Sequence, residues 1–156
     1  MIKLTRIDDR LVHGQVAFTW VPSVGCDCLV VANDLVAKDE FQKMTLNLAK
    51  PAGAKLLIKP LSETIAFLTD EKNKNLKIVI LINSVKDAFT IAAEVPEIKS
   101  INFGGLRARE GAKSVSKAIA LTEEDILLIK ELQKKNIELE IRQVPTDKKQ
   151  MLETVI

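Results

Sequence analysis

Short runs of Val, Ile and Leu recur along the chain, separated by longer segments whose apolar residues return every three or four positions. The runs Ile2–Ile7, Leu29–Asn33, Lys55–Ile58, Lys77–Ile82, Ser100–Phe103 and Ile137–Gln143 predict strands. Several are apolar at successive positions, as strands buried on both faces are. Helices are predicted between and after them, over Gly14–Val21, Lys38–Ala49, Ser62–Asp70, Lys86–Ala93, Glu123–Lys135 and Lys148–Val155. The fifth is the clearest. Thr122 suits an N-cap, Glu123, Glu124 and Asp125 suit the positive helix end, Lys134 and Lys135 suit the negative end, and Asn136 suits a C-cap. Pro51, Pro60, Pro96 and Pro145 fall at element boundaries, where a missing N–H does least harm. "KSVSKAIAL" alternates with period two and predicts a further strand, short and near an edge. Strand and helix in repeated alternation build an α/β fold: an open, mostly parallel sheet of about seven strands with helices on both faces. No repeat, low-complexity segment or linker interrupts it, so residues 1–156 are expected to form one domain.

Composition narrows the function. Hydrophobic residues make up 47% of the 156, enough for a sizeable core. The 23 basic and 21 acidic residues leave a net charge of +2, far from the basic excess of a nucleic-acid binder. Aromatic residues are 4%, with no Tyr, so a base-stacking platform is not expected either. Trp20 reads as a core residue rather than a stacking surface for a sugar. Cys26 and Cys28 are too close in sequence for an unstrained disulfide, and His13 is their only other candidate metal ligand. They read as small, semi-buried residues at a strand entrance in a reducing compartment, with no metal. No apolar run approaches the roughly 20 residues that span a bilayer, and "MIKLTRIDDR" lacks the apolar stretch of a secretory signal. A soluble, cytoplasmic chain is expected.

In open α/β sheets ligands bind beyond the carboxyl ends of the strands. The first such segment, "RIDDRLVHGQV", packs two Arg, two Asp and the chain's single His into Arg6–His13, with Gly14 directly after. A neutral imidazole is a competent nucleophile towards phosphorus, forming phosphohistidine. Phosphoryl transfer relies on fixed cations and N–H donors. Arg10, three residues before His13, offers a planar fork for phosphate oxygens, and Arg6 is a second candidate. Gly14 leaves space beside the ring, Gln15 can donate an amide N–H, and a helix starting there would aim backbone N–H groups at an anion. Asp8 and Asp9 suit positioning of Arg6 and Arg10 better than service as bases. A lone loop histidine also fits a structural role, and spacing by itself leaves both readings open. After the other strands, Asn33 and Asp34 could orient the first loop or merely cap a helix. Asn83 and Ser84 are polar groups suited to phosphate, and Gly104 and Gly105 are a turn signal or a phosphate cradle. Neither a G-x-x-x-x-G-K-[ST] nor a G-x-G-x-x-G sequence occurs, so a nucleotide fingerprint is missing.

"RIDDRLVHGQV" followed by "TW" closely resembles the signature of the IIB components of the mannose/fructose/sorbose-type sugar phosphotransferase system. "LVVANDLVAKDE", "NFGGLRAREGAK" and "IELEIRQVPTD" extend the resemblance nearly end to end. It implies a phosphotransferase that takes a phosphoryl group from a IIA protein onto His13. The group then passes to a sugar carried through the membrane by the IIC and IID subunits. It further implies phosphorylation at Nδ1 with Arg10 in contact, and an open seven-stranded α/β sheet. Catalytic roles then fall to His13, Arg10 and Asp9, with support from Arg6, Gly14, Gln15, Asn33, Asp34, Ser84, Gly104 and Gly105. No cofactor, metal or nucleic acid is expected, and the location is cytoplasmic and membrane-peripheral. The sugar would be of the mannose or N-acetylgalactosamine type. "INSVKD" replaces a common "TNP", and Leu106 replaces Met in the Gly-Gly-Met motif. The rival reading is a non-catalytic sugar- or nucleotide-binding module. A receiver domain lacks its Asp after strand three, and a hydrolase lacks a second His to activate a serine.

Overall fold

The computed structural model describes residues 1–156. Six parallel strands and one antiparallel strand form the main sheet. They are β1 (Ile2–Asp8), β2 (Cys28–Ala32), β3 (Lys55–Lys59), β4 (Ile78–Ile82), β5 (Ser100–Gly105), β8 (Glu138–Ile141) and β9 (Gln150–Met151). Their spatial order is β3-β2-β4-β1-β5-β8-β9. A separate antiparallel ribbon joins β6 (Lys113–Ser114) to β7 (Ala120–Leu121).

Alternation along the strands divides the core into two layers. Ile7, Val30, Ile80, Ile82, Ile101, Phe103, Leu139 and Ile141 face α3 (Leu61–Thr69), α4 (Val85–Glu94) and α5 (Glu123–Lys134). Leu29, Val31, Val79 and Leu81 face the opposite layer. That layer holds a helical stretch through Val16–Trp20 into α1 (Val21–Val24), and α2 (Glu40–Ala49). The chain turns from β1 to β2 and β3 in one direction and from β4 to β5 and β8 in the other. Right-handed crossovers therefore place the first two helices on one face and the last three on the other.

The Val16–Trp20 stretch has the wide π-type turn, closed by the Val21 N–H on the Val16 carbonyl. Pro22, in the next turn, has no N–H to give the Phe18 carbonyl and would crowd it, so the helix widens there. On α5, Thr122 and Asp125 form a reciprocal capping box, and Asn136 takes φ 61° just past its end.

Two expectations are corrected. Lys148–Val155 is not a helix: Gln150–Met151 pairs with Glu140 and Ile141, and Leu152–Thr154 makes one 3-10 turn around the buried Leu152. Eight residues are too few to hold a helix unaided, and the open edge of β8 offers backbone partners instead. "KSVSKAIAL" contributes to the β6–β7 ribbon, outside the main sheet, whose seventh strand is β9. Cys26 and Cys28 are free thiols, and burial pushes Cys28 up to about 11, which keeps it unreactive. No helix is long and apolar enough to cross a membrane.

Candidate active site

The site is built from the last residues of β1 and the loop after it. Strand alternation sends Ile7 into one core layer, while Arg6 and Asp8 share the other face. Arg6 is 0% exposed, an unfavourable place for a guanidinium unless its donors are all used. Its Nε and Nη2 donate to Asp8 Oδ2 at 3.3 and 3.0 Å. Nη1 donates to Asn102 Oδ1 at 2.8 Å and to the Arg142 carbonyl at 3.1 Å, and Nη2 also reaches Gln15 Oε1 at 3.4 Å. The guanidinium lies 5.4 Å from the Trp20 ring centre, with that of Arg142 at 5.0 Å from the same ring. Trp20 Nε1 donates to the Gln143 carbonyl at 2.9 Å, tying the first helix to the segment after β8. Burial pulls the Arg6 pKa below its ordinary value, against the opposing pull of Asp8.

Asp8 is the junction of the site. Its side chain is fully buried; Oδ2 accepts from Arg6 and lies 2.8 Å from His13 Nε2, and Oδ1 accepts from the Arg10 N–H at 3.0 Å. Burial alone would raise its pKa. The hydrogen bond with His13, the charge of Arg6 and the Arg10 N–H outweigh that, and the net shift is downward. Asp8 is thus an ionised carboxylate, which can only accept. In the neutral imidazole the proton between the two therefore sits on Nε2, which leaves the lone pair on Nδ1.

The loop itself is held from behind. Leu11 and Val12 are buried in the core layer, and the Leu11 N–H closes a turn on the Asp8 carbonyl at 2.9 Å. Leu11 takes φ 58°, a left-handed conformation that costs a branched side chain about 1–2 kcal/mol. The His13 carbonyl accepts the first helical bond, from the Ala17 N–H at 3.0 Å, so His13 stands at the helix N-terminus. The first-turn N–H groups at Gly14 and Gln15 have no partner within the helix. Arg10 is half exposed, with Nε 3.8 Å from Asp8 Oδ1, and its guanidinium makes no hydrogen bond.

Of the residues singled out from sequence, Arg6, Arg10, His13, Gly14 and Gln15 are brought together. Arg6 supports Asp8 from inside and does not face outward. Gly104 leaves the space that Arg6 fills, since a Cβ there would lie 2.0 Å from Arg6 Cζ. Gly105 packs against Asp8, 3.5 Å from Oδ1 in the same sense. Asp9 turns away: its Oδ2 accepts from the Arg107 N–H and Nε at 2.8 and 3.0 Å. The side chains of Asn33, Asp34 and Ser84 serve their own segments. Asn33 accepts from the N–H groups of Leu35 and Val36, Asp34 from Leu61, and Ser84 caps α4. Sequence reasoning ranked Asp9 above Asp8 and left out Asn102, Glu140 and Arg142. Strand parity was the available signal for Asp8, because Arg6 and Asp8 are two apart on β1. The others come from distant strands and gave none.

The family model for the PTS system sorbose subfamily IIB component matches residues 2–156. This chain belongs to that family. It is 40% identical over 137 residues to a probable phosphotransferase enzyme IIB component of Streptococcus pyogenes, covering 85% of this chain and 84% of the relative. The crystal structure of the IIBSor domain of the Klebsiella pneumoniae sorbose permease superposes with a TM-score of 0.93 at 31% identity, covering 97% and 93% of the two chains. The mannose-specific EIIAB component of Escherichia coli is 34% identical over 96% of this chain, which spans 46% of that longer protein. As a IIB component the chain is a phosphotransferase-system protein with a role in sugar phosphotransfer.

Proposed function

We propose that residues 1–156 act as one phosphocarrier domain, in which His13 accepts a phosphoryl group from a phosphorylated IIA protein. The group then passes to a hexose-type sugar during its uptake through the IIC and IID membrane subunits, on which the domain docks peripherally. The observation that carries this reading is the 2.8 Å contact between Asp8 and His13 Nε2, which leaves Nδ1 as the nucleophile. The Nδ1 lone pair attacks phosphorus in line, and the P–N bond to the donor histidine breaks as the new one forms. Attack by a neutral imidazole leaves positive charge on the His13 ring. Asp8 already faces the N–H where that charge gathers, much as a buried carboxylate supports a catalytic imidazolium. The unengaged Arg10 guanidinium and the helix N-terminal N–H groups suit the equatorial oxygens. Relatives name different sugars, sorbose and mannose among them, which fits a sugar chosen by the membrane subunits.

The test is transfer of labelled phosphate from phospho-IIA. The wild type takes acid-labile, alkali-stable label, His13→Ala takes none, and Arg10→Ala accepts it far more slowly. An unlabelled wild type beside a well-labelled IIA overturns the relay and puts the sugar- or nucleotide-binding module in its place.

A further inference from the structure

Beneath the His13 loop lies a buried hydrogen-bonded chain that reaches the proposed transfer only through its end at Asp8. It contains two ion pairs. Arg6 pairs with Asp8 at 3.0 Å, and Arg142 pairs with Glu140 through Nε and Nη2, both at 3.0 Å. One neutral side chain joins them: Asn102 on β5, 1% exposed, between β1 and β8. Its Oδ1 accepts from Arg6 Nη1 at 2.8 Å, and its Nδ2 donates to Glu140 Oε1 at 3.1 Å and to the Arg142 carbonyl at 3.3 Å. The amide has only one workable orientation here. Flipped, it would turn its NH2 on a guanidinium and its oxygen on a carboxylate. A carboxylate in its place could only accept, and an apolar side chain could do neither.

We propose that Asn102 is a positioning residue for phosphoryl acceptance, acting on His13 through Arg6 and Asp8. The proposal rests on the reading of His13 as the acceptor. The geometry passes along one line. Asn102 Oδ1 and the Arg142 carbonyl fix the angle of the Arg6 guanidinium. The guanidinium fixes Asp8 Oδ2, and Oδ2 holds the proton on His13 Nε2. With its amide gone, Arg6 Nη1 keeps one acceptor of two, the fork is held less firmly, and the direction of Asp8 Oδ2 loosens while Oδ1 stays on the Arg10 N–H. A share of His13 then carries its proton on Nδ1 instead, where the lone pair should be. Asn102 itself is buried, so the docking surface for the phosphoryl donor is untouched.

The test uses the full chain and two variants, with stability measured first so that comparisons are made where each is folded. Ring 15N shifts report the His13 tautomer. Wild type is expected to hold the Nε2–H form, Asn102→Ala to show a mixture, and Asn102→Asp, which keeps an acceptor for Arg6 but sets a carboxylate against Glu140, to hold more of the Nε2–H form than Asn102→Ala. Acceptance from phospho-IIA is expected to lose about tenfold in kcat in Asn102→Ala, with KM within about twofold, because only the reacting geometry has changed. Recovery of kcat in Asn102→Asp supports transmission through Arg6. A variant that is merely less stable, with unchanged His13 signals and unchanged kcat, overturns the proposal. Should neither variant fold, the wild type still decides. Separate, slowly exchanging Arg6 Nη resonances are expected of a fixed fork, and averaged ones refute it. The tautomer measurement needs no donor protein, so the two failures are distinguishable: an unlabelled wild type sinks the relay and this role with it, and an unchanged His13 tautomer in Asn102→Ala overturns the role of Asn102 alone.

Discussion

Replacing Gly104 by Ala is the sharpest way to ask how tightly the buried charge network is held. The backbone at Gly104 lies outside the left-handed region, so the substitution adds no φ strain. What it adds is one methyl group whose carbon would lie 2.0 Å from Arg6 Cζ, 2.2 Å from Nη2 and 2.4 Å from Nη1. A guanidinium at a surface would swing aside at little cost. Arg6 has no such freedom, because Asp8, Asn102, the Arg142 carbonyl and the Trp20 face surround it. It must leave its partners, and breaking a buried ion pair costs about 3–5 kcal/mol. For a chain of this length each kcal/mol moves Tm by about 2–4 °C, so a fall on the order of 10 °C is expected. Urea unfolding followed by the fluorescence of Trp20, the only tryptophan, measures it directly. The decisive comparison is a double-mutant cycle with Arg6→Ala, where the added methyl meets nothing and costs about 1 kcal/mol or less. A loss below about 1 kcal/mol in the single variant, or strict additivity in the cycle, would refute the claim that this glycine is required by the arginine.

Other outcomes follow from the same geometry. The Asp8 pKa is depressed on folding, so its contribution to stability is present above the unfolded value of 3.8 and is lost as pH falls through the lower folded value. Asp8→Asn should therefore be less stable than wild type at pH 7, with the gap closing below about pH 4 in urea titrations across pH. A gap that widens on acidification would reverse the sign of the reasoning. Ser84→Ala removes the cap of α4 and should cost about 1 kcal/mol in thermal unfolding while phosphoryl acceptance stays at the wild-type rate. Slowed transfer there would restore the phosphate role that the sequence suggested for Ser84.

What could be read in the sequence was what depends on neighbours along the chain. The strand runs, the capping box at Thr122 and Asp125, and the C-terminal signal at Asn136 all act within a few residues. Each stands where its pattern places it, to within a residue or two. The cluster of charge before His13 likewise marked the loop, because its members are close in sequence. The division of labour between Asp8 and Asp9 was hidden, since both are carboxylates beside arginines. It is set by which of them still belongs to the pleat of β1. Asn102, Glu140 and Arg142 were hidden for a different reason. Their role exists only after β1, β5 and β8 lie side by side, and nothing local in "SINFGG" or "ELEI" announces it. The C-terminal segment failed as a helix because an open sheet edge offered it hydrogen bonds that its own short pattern could not supply.

The left-handed turn at Leu11 bears on how often the loop has to be ordered. Fixing one residue's backbone costs about 1–2 kcal/mol in lost conformational entropy. Here that ordering takes place once, as Leu11 and Val12 enter the core and the Leu11 N–H finds the Asp8 carbonyl. A loop left free would lose the same entropy at each meeting with a partner, and every complex would be weakened by that amount. A protein that meets a donor and then an acceptor in every cycle would bear the loss twice per turnover. In the proposed relay, with Leu11 bent and buried, neither encounter would do the work of shaping the loop, and the strength of each could be set by surface contacts alone.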